Sequence, residues 1–239
     1  MSRDKDMAKR STEAANPLAE DLNRTIYGQA PDVFDMLSGL GRELYYPKGI
    51  LTQSAEAKQR AGRYNATIGM ATESGRPMHL PCVARQFPAL TPEEALPYAP
   101  SFGLPALRER WREHILAANP SLHGVDIGLP VVTGGVTHGL SLAADLFVDP
   151  GDTVLVADQL WGNYNMVFKV RRGARFSTFP FFAADGGLDT DGFAAAVGEA
   201  SAHGKLVVLL NFPNNPTGYA PTVAEAHALR DTLVAAAER

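Results

Sequence analysis

The sequence predicts an α/β protein with a mostly parallel sheet and a helical arm ahead of it. Three observations carry this. From Pro105 onward, short apolar runs alternate with stretches of helical periodicity. The turn former Asp149-Pro150-Gly151-Asp152 leads straight into the apolar run Thr153-Val154-Leu155-Val156. The last helical stretch opens on Thr222 with Glu225 three residues later, a capping box, and carries Val223, Ala226, Leu229 and Leu233 on one side. Such alternation is the pattern of parallel strands joined by helices.

The elements follow in order. Residues 1 to 24 are polar and are expected to be mobile. Residues 1–50 as a whole form an arm, and 51–239 a larger, incomplete domain. Val33, Phe34, Leu37, Leu40 and Leu44 predict a helix over Pro31 to Tyr46. A short helix is expected over 54–62 and an extended segment from Tyr64 to Gly69. Residues 73–103 are rich in Pro and Gly and are expected on the surface, with a capped helix start at Thr91-Pro92-Glu93-Glu94. Then come a helix over 105–118, a strand at Val131-Val132-Thr133 and a helix over 137–147. Strands are expected at Thr153 to Val156, Phe176 to Phe179 and Leu206 to Leu210. Helices are expected over 162–172 and 190–199.

Composition excludes several classes. The 239 residues carry a formal net charge of -4, which gives no reason to expect nucleic acid or an anionic membrane as partner. Cys82 is the single cysteine, so neither a disulfide framework nor a cysteine metal cluster can form within the chain. No apolar run approaches the roughly 18 residues of a membrane span. Met1 to Arg10 lack the apolar core of a secretion signal. A cytoplasmic protein is expected.

Four stretches carry chemistry. Asn211-Phe212-Pro213-Asn214-Asn215-Pro216-Thr217-Gly218 joins an apolar strand to a capped helix; it could also be a loop of good turn formers. Thr133-Gly134-Gly135-Val136-Thr137-His138 precedes a helix. It suits an ordinary tight turn, or a phosphate site whose backbone N–H groups face an anion at the helix N-terminus. Beside it, His138 is read as a surface residue at the helix start rather than as a catalytic one. Trp161, in Leu160-Trp161-Gly162-Asn163, lies just beyond a strand and could be core packing. Tyr98 opens Tyr98-Ala99-Pro100-Ser101-Phe102-Gly103-Leu104-Pro105, where a surface aromatic is an alternative.

These motifs resemble those of the class I aminotransferases of fold type I, which use pyridoxal 5'-phosphate (PLP), and the aspartate-aminotransferase-like members in particular. The resemblance spans residues 40 to 239. It implies a partial PLP-dependent transferase large domain, three-layer αβα, acting as an aminotransferase between an amino acid and a 2-oxo acid. It assigns Asn215 as donor to the phenolic oxygen of PLP, with a cis Asn215-Pro216 bond. Gly135, Val136 and Thr137 form the phosphate cradle, and Trp161 stacks on the pyridine ring. Tyr98 reaches the cofactor phosphate of the other subunit of a homodimer, and Gly69 lies on the substrate side. In that family the Schiff-base lysine and the carboxylate on the ring nitrogen follow the Asn-Pro-Thr-Gly motif. Lys5, Lys9, Lys48, Lys58, Lys169 and Lys205 all lie outside the family's Ser-x-x-Lys context. The chain is therefore expected to stop short of its catalytic lysine, to have an incompletely covered sheet and to be inactive by itself. Alternatives are a non-catalytic PLP-binding fragment, half of a split enzyme, or a C–S lyase or decarboxylase of the same fold.

Overall fold

The computed structural model describes residues 16–45, 50–65, 67, 71–202 and 204–238. It falls into two compact units, Met1–Pro47 with Gly139–Arg239 and Lys48–His138.

The arm begins with helix α1 (Pro17–Gln29), followed by α2 (Pro31–Met36) and α3 (Gly39–Glu43). The expectation of a mobile stretch to residue 24 is corrected for its described part. Asn16 caps α1 by accepting from Leu18 N, Pro17 sits at the first helical position, and Ala19 is buried. The single helix expected over Pro31 to Tyr46 is broken. Leu37 is extended, and the Ser38 hydroxyl accepts from Gly41 N to start a new helix. Phe34 is buried here, with Tyr27 edge-on at 5.4 Å and the Arg42 guanidinium 4.4 Å above its ring.

In the second unit, α4 (Ile50–Arg60) begins earlier than expected. Half of the expected extended segment, namely Ala66, Ile68 and Gly69, lies outside the described residues. A two-residue hairpin, β1 (Thr72–Glu73) with β2 (Arg76–Pro77), leads to α5 (Pro81–Ala84) and α6 (Pro92–Ala95). Both halves of the Thr91–Glu94 capping box are formed. Helix α7 (Pro105–Ala118) matches its expected span. Residues 131–133 do not form the expected strand. They find no ladder partner among the described residues, and Val132 N is satisfied instead by Phe102 O at 3.0 Å.

Helix α8 (Val136–Phe147) leads into the sheet. Its strands are β3 (Thr153–Ala157), β4 (Arg175–Phe179) and, after helix α9 (Thr190–Ser201), β5 (Val207–Val208); helix α10 (Val223–Ala237) follows. The order is β4-β3-β5, all parallel, with Val154 opposite both Phe176 and Val207. The expected strand over Leu206 to Leu210 is shorter, although Leu209 N still donates to Leu155 O at 3.0 Å. In place of a regular helix over 162–172 there is a wide turn at Asn165–Val170, closed where Arg171 N reaches back to Met166 O.

Side chains alternate along β3 and so build two cores. Val154 and Val156 face Ala144, Val148, Tyr164, Val167 and Phe168. Leu155 faces the opposite way, toward Phe179, Phe193, Val197 and Leu229 of β4, α9 and α10. The result is the expected three layers: α8 and the wide turn, the sheet, then α9 and α10. Neither β4 nor β5 has an outer ladder partner among the described residues.

Candidate functional site

In a parallel sheet the loops beyond the carboxyl ends of the strands collect the functional groups. Here these are the loop after β3, which carries Trp161, and the loop after β5, which carries Asn215. The first is anchored at once: Asp158 N donates to Phe179 O at 3.0 Å, and Asp158 Oδ1 accepts from Phe181 N at 2.9 Å. Trp161 is half-buried, and its indole meets the Tyr164 ring edge-on at 5.7 Å and 86°. Tyr164 is 6% exposed. Burial raises the pKa of its phenol, and a hydrogen bond from the Asn211 amide partly offsets this.

The second loop turns on Asn214, which is 6% exposed. Its backbone N–H donates to Tyr219 O at 2.7 Å and its carbonyl accepts from Gly218 N at 2.6 Å. Its side-chain Oδ1 accepts from Thr217 N at 3.2 Å and Thr217 Oγ1 at 2.9 Å, while Nδ2 donates to Gln159 O at 3.1 Å. The next residue, Asn215, is exposed, and its amide has no hydrogen-bond partner among the described residues. The Asn215-Pro216 bond is cis, as the family resemblance implies, and so is Phe212-Pro213. The cavity enclosed by Gln159, Tyr164, Asn211 and Asn214 is about 10 Å³. That is water-sized, far too small for an aromatic ring.

Below this loop, Glu225 acts as a hub. Oε1 accepts from Leu188 N at 2.6 Å and the Tyr219 hydroxyl at 2.8 Å; Oε2 accepts from Thr222 N at 2.6 Å and Thr222 Oγ1 at 2.8 Å. Hydrogen bonds from the Thr222 and Leu188 backbones, then from Tyr219, pull its pKa from 4.5 to about 2. The same carboxylate raises the pKa of Tyr219.

The second unit holds the Gly-Gly turn. Gly135 has φ +130°, a conformation L side chains rarely adopt, and open space where a Cβ would stand. The N–H groups of Gly135, Val136 and Thr137 have no partners among the described residues, as expected of a helix's first turn. His138 Nδ1 accepts from Gly134 N at 3.0 Å, so it serves this turn as a cap. Tyr98 is fully exposed, and Gly69 lies outside the described residues. Thus the structure joins the Trp161 and Asn215 loops within one unit, while Gly135, Val136, Thr137 and Tyr98 belong to the other.

Sequence reasoning missed Tyr164, Asn211, Asn214 and the wider role of Glu225. Asn214 stood in the motif next to Asn215, and Glu225 was already visible as a cap. Lys205 pairs with Asp152 at 2.6 Å, at the amino ends of β3 and β5, and Lys169 lies over the Phe176 ring at 5.4 Å. Both are therefore engaged away from the two loops. No group of metal-binding side chains occurs among the described residues, and no described helix is long and apolar enough to cross a membrane.

Known proteins share this architecture. An aminotransferase from Anaerococcus prevotii superposes with a TM-score of 0.71 at 24% identity, covering 85% of this chain and 51% of that one. N-succinyldiaminopimelate aminotransferase from Mycobacterium tuberculosis gives 0.62 at 27% identity, over 80% and 48%. A relative from Mycobacterium leprae assigned as a cystathionine beta-lyase is 31% identical over 113 residues, 46% of this chain and 28% of the relative. The chain spans about half the length of the two aminotransferases. The profile of aminotransferase class I and II matches residues 68–236, and the chain belongs to that family.

Proposed function

We propose that these residues form the cofactor-holding part of a PLP-dependent aminotransferase that moves an amino group from an amino acid to a 2-oxo acid. The observation that carries this is the contrast within one motif. Asn214 spends its amide on the protein, while Asn215, beside it, is exposed and free to donate. A free amide donor suits the negatively charged phenolic oxygen of PLP. The open first turn of α8, with Gly135 at φ +130°, likewise suits a phosphate dianion. Each donor, taken within its own unit, therefore suits the part of the cofactor it would hold.

When bound, PLP supplies an electron-withdrawing ring that stabilises negative charge at the substrate Cα. Trp161 would hold the ring plane and Asn215 the ring oxygen. The N–H groups of Gly135, Val136 and Thr137, with the Thr137 hydroxyl, would bind the phosphate. Tyr98 would serve the partner's cofactor in a homodimer, and Gly69 would line the substrate side. None of the described lysines is assigned to covalent work; Lys169 and Lys205 are committed elsewhere. On this reading the chain by itself binds PLP and does not turn over.

An absorbance and fluorescence titration of the 239-residue chain with PLP tests this. Saturable binding is expected, weakened by Asn215→Ala and by Trp161→Ala; binding that ignores both substitutions defeats the proposal. Turnover above that of free PLP, abolished by replacing one lysine, would overturn the claim of an inactive chain. The similarity to the Mycobacterium leprae relative supports a second reading, C–S bond cleavage on the same scaffold. Release of a thiol and ammonia from a thioether amino acid, by a longer protein that contains this chain, would favour it.

A further inference from the structure

We infer that Asn214 is a positioning residue that locks the Trp161 loop and the Asn215 loop into one clamp before any cofactor arrives. This deepens the PLP reading and rests on it for the identity of the ligand.

The side-chain orientation of Asn214 follows from its neighbours. Thr217 N can only donate, so the group facing it must be Oδ1, 3.2 Å away. Nδ2 must then face Gln159 O, 3.1 Å away, which can only accept. The Thr217 hydroxyl donates to the same Oδ1 at 2.9 Å and holds the amide in that sense. Gln159 lies two residues before Trp161, and Asn214 immediately precedes Asn215. One buried amide thus fixes the spacing between the backbone that carries the indole and the backbone that carries the free donor. Tyr164 and Asn211 make a second tie between the same loops, beneath Trp161. The foot of the clamp is Tyr219, whose carbonyl takes the Asn214 N–H. A ring gripped on its face by one loop and at its oxygen by the other needs this spacing in place. Pre-organisation lowers the ordering cost of binding.

Asn214→Asp is the sharpest variant. It keeps an acceptor for Thr217 but sets an oxygen against Gln159 O. Thr217→Val removes the hydroxyl at an exposed position, and Thr217→Ser keeps it. The chain has two tryptophans, so in a Trp111→Phe background Trp161 reports alone. In Asn214→Asp, Trp161 anisotropy is expected to fall and amide exchange over 159–164 to rise, with cooperative unfolding retained. Affinity for PLP should drop about tenfold, the scale of one buried hydrogen bond. Thr217→Val should show a smaller effect in the same direction, and Thr217→Ser should restore the parent signals. Trp161 anisotropy and exchange unchanged in Asn214→Asp would overturn the inference. If that variant fails to fold, identical signals in Thr217→Val and Thr217→Ser would overturn it instead. If the parent does not take up PLP, the cofactor reading fails, while the anisotropy and exchange comparison still decides the clamp.

Discussion

Replacing Glu225 by Gln should destabilise the first unit at neutral pH and cost almost nothing in acid. The carboxylate accepts four hydrogen bonds from Leu188, Tyr219 and Thr222. A glutamine offers one oxygen and turns a donor toward the remaining donors. The pKa drop from 4.5 to about 2 sets the charge-dependent gain. At about 1.36 kcal/mol per pH unit, its ceiling is roughly 3.4 kcal/mol. The side chain is partly exposed, so solvent screening reduces this to about 1 kcal/mol. Because the folded pKa lies below the unfolded one, the stabilisation is complete above pH 4.5 and fades as pH falls toward about 2. Urea unfolding of parent and Glu225→Gln at pH 7, 4 and 2.5 measures the difference directly. It should be greatest at pH 7 and shrink at each step down. A difference that stays constant across the three, or is absent at pH 7, would refute the reasoning.

Three further outcomes are expected. Phe193→Ala empties a fully buried site against Phe179, 5.1 Å away between ring centres, and should cost about 3–5 kcal/mol in urea unfolding. Gly103→Ala places a methyl 2.2 Å from Val132 Cγ2 at φ +96°, so both backbone and packing resist it. A loss of about 2–3 kcal/mol should follow, read as a lower thermal midpoint. Tyr98→Phe removes an exposed hydroxyl and should leave unfolding unchanged; if Tyr98 reaches a partner's phosphate, PLP affinity should fall in dimers and not in monomers.

Elements fixed by local chemistry could be read from the sequence. The Thr91–Glu94 and Thr222–Glu225 capping boxes both form where the spacing put them. β3 was legible because it is continuously apolar and lies between two partners. Residues 131–133 show the opposite: Val131-Val132-Thr133 has the composition of a strand, but a strand exists only with a neighbour, and pairing is not local information. Helix α1 was missed although Asn16-Pro17 is a good start signal, because its polar composition hid the narrow apolar side that buries Ala19. In the site, two separate motifs pointed to Asn215 and Trp161. The Asn-Pro-Thr-Gly motif could not show that Asn214, of identical chemistry to Asn215, turns inward. That depends on where Gln159 O arrives from the loop after β3.

Glu225 joins the start of α10 and the nearby Tyr219 to Leu188, 37 residues away in sequence, and this ties separate equilibria together. Detaching the start of α10 would release Leu188 and the Tyr219 hydroxyl. Tyr219 in turn carries the backbone of Asn214. Fraying of that helix and opening of the loop are therefore one event, with a shared free energy. A ligand that selects the closed loop must slow exchange in the first turn of α10, though it touches no residue there. Conversely, a substitution confined to the Thr222 cap weakens ligand binding by the fraction of molecules whose helix start is open.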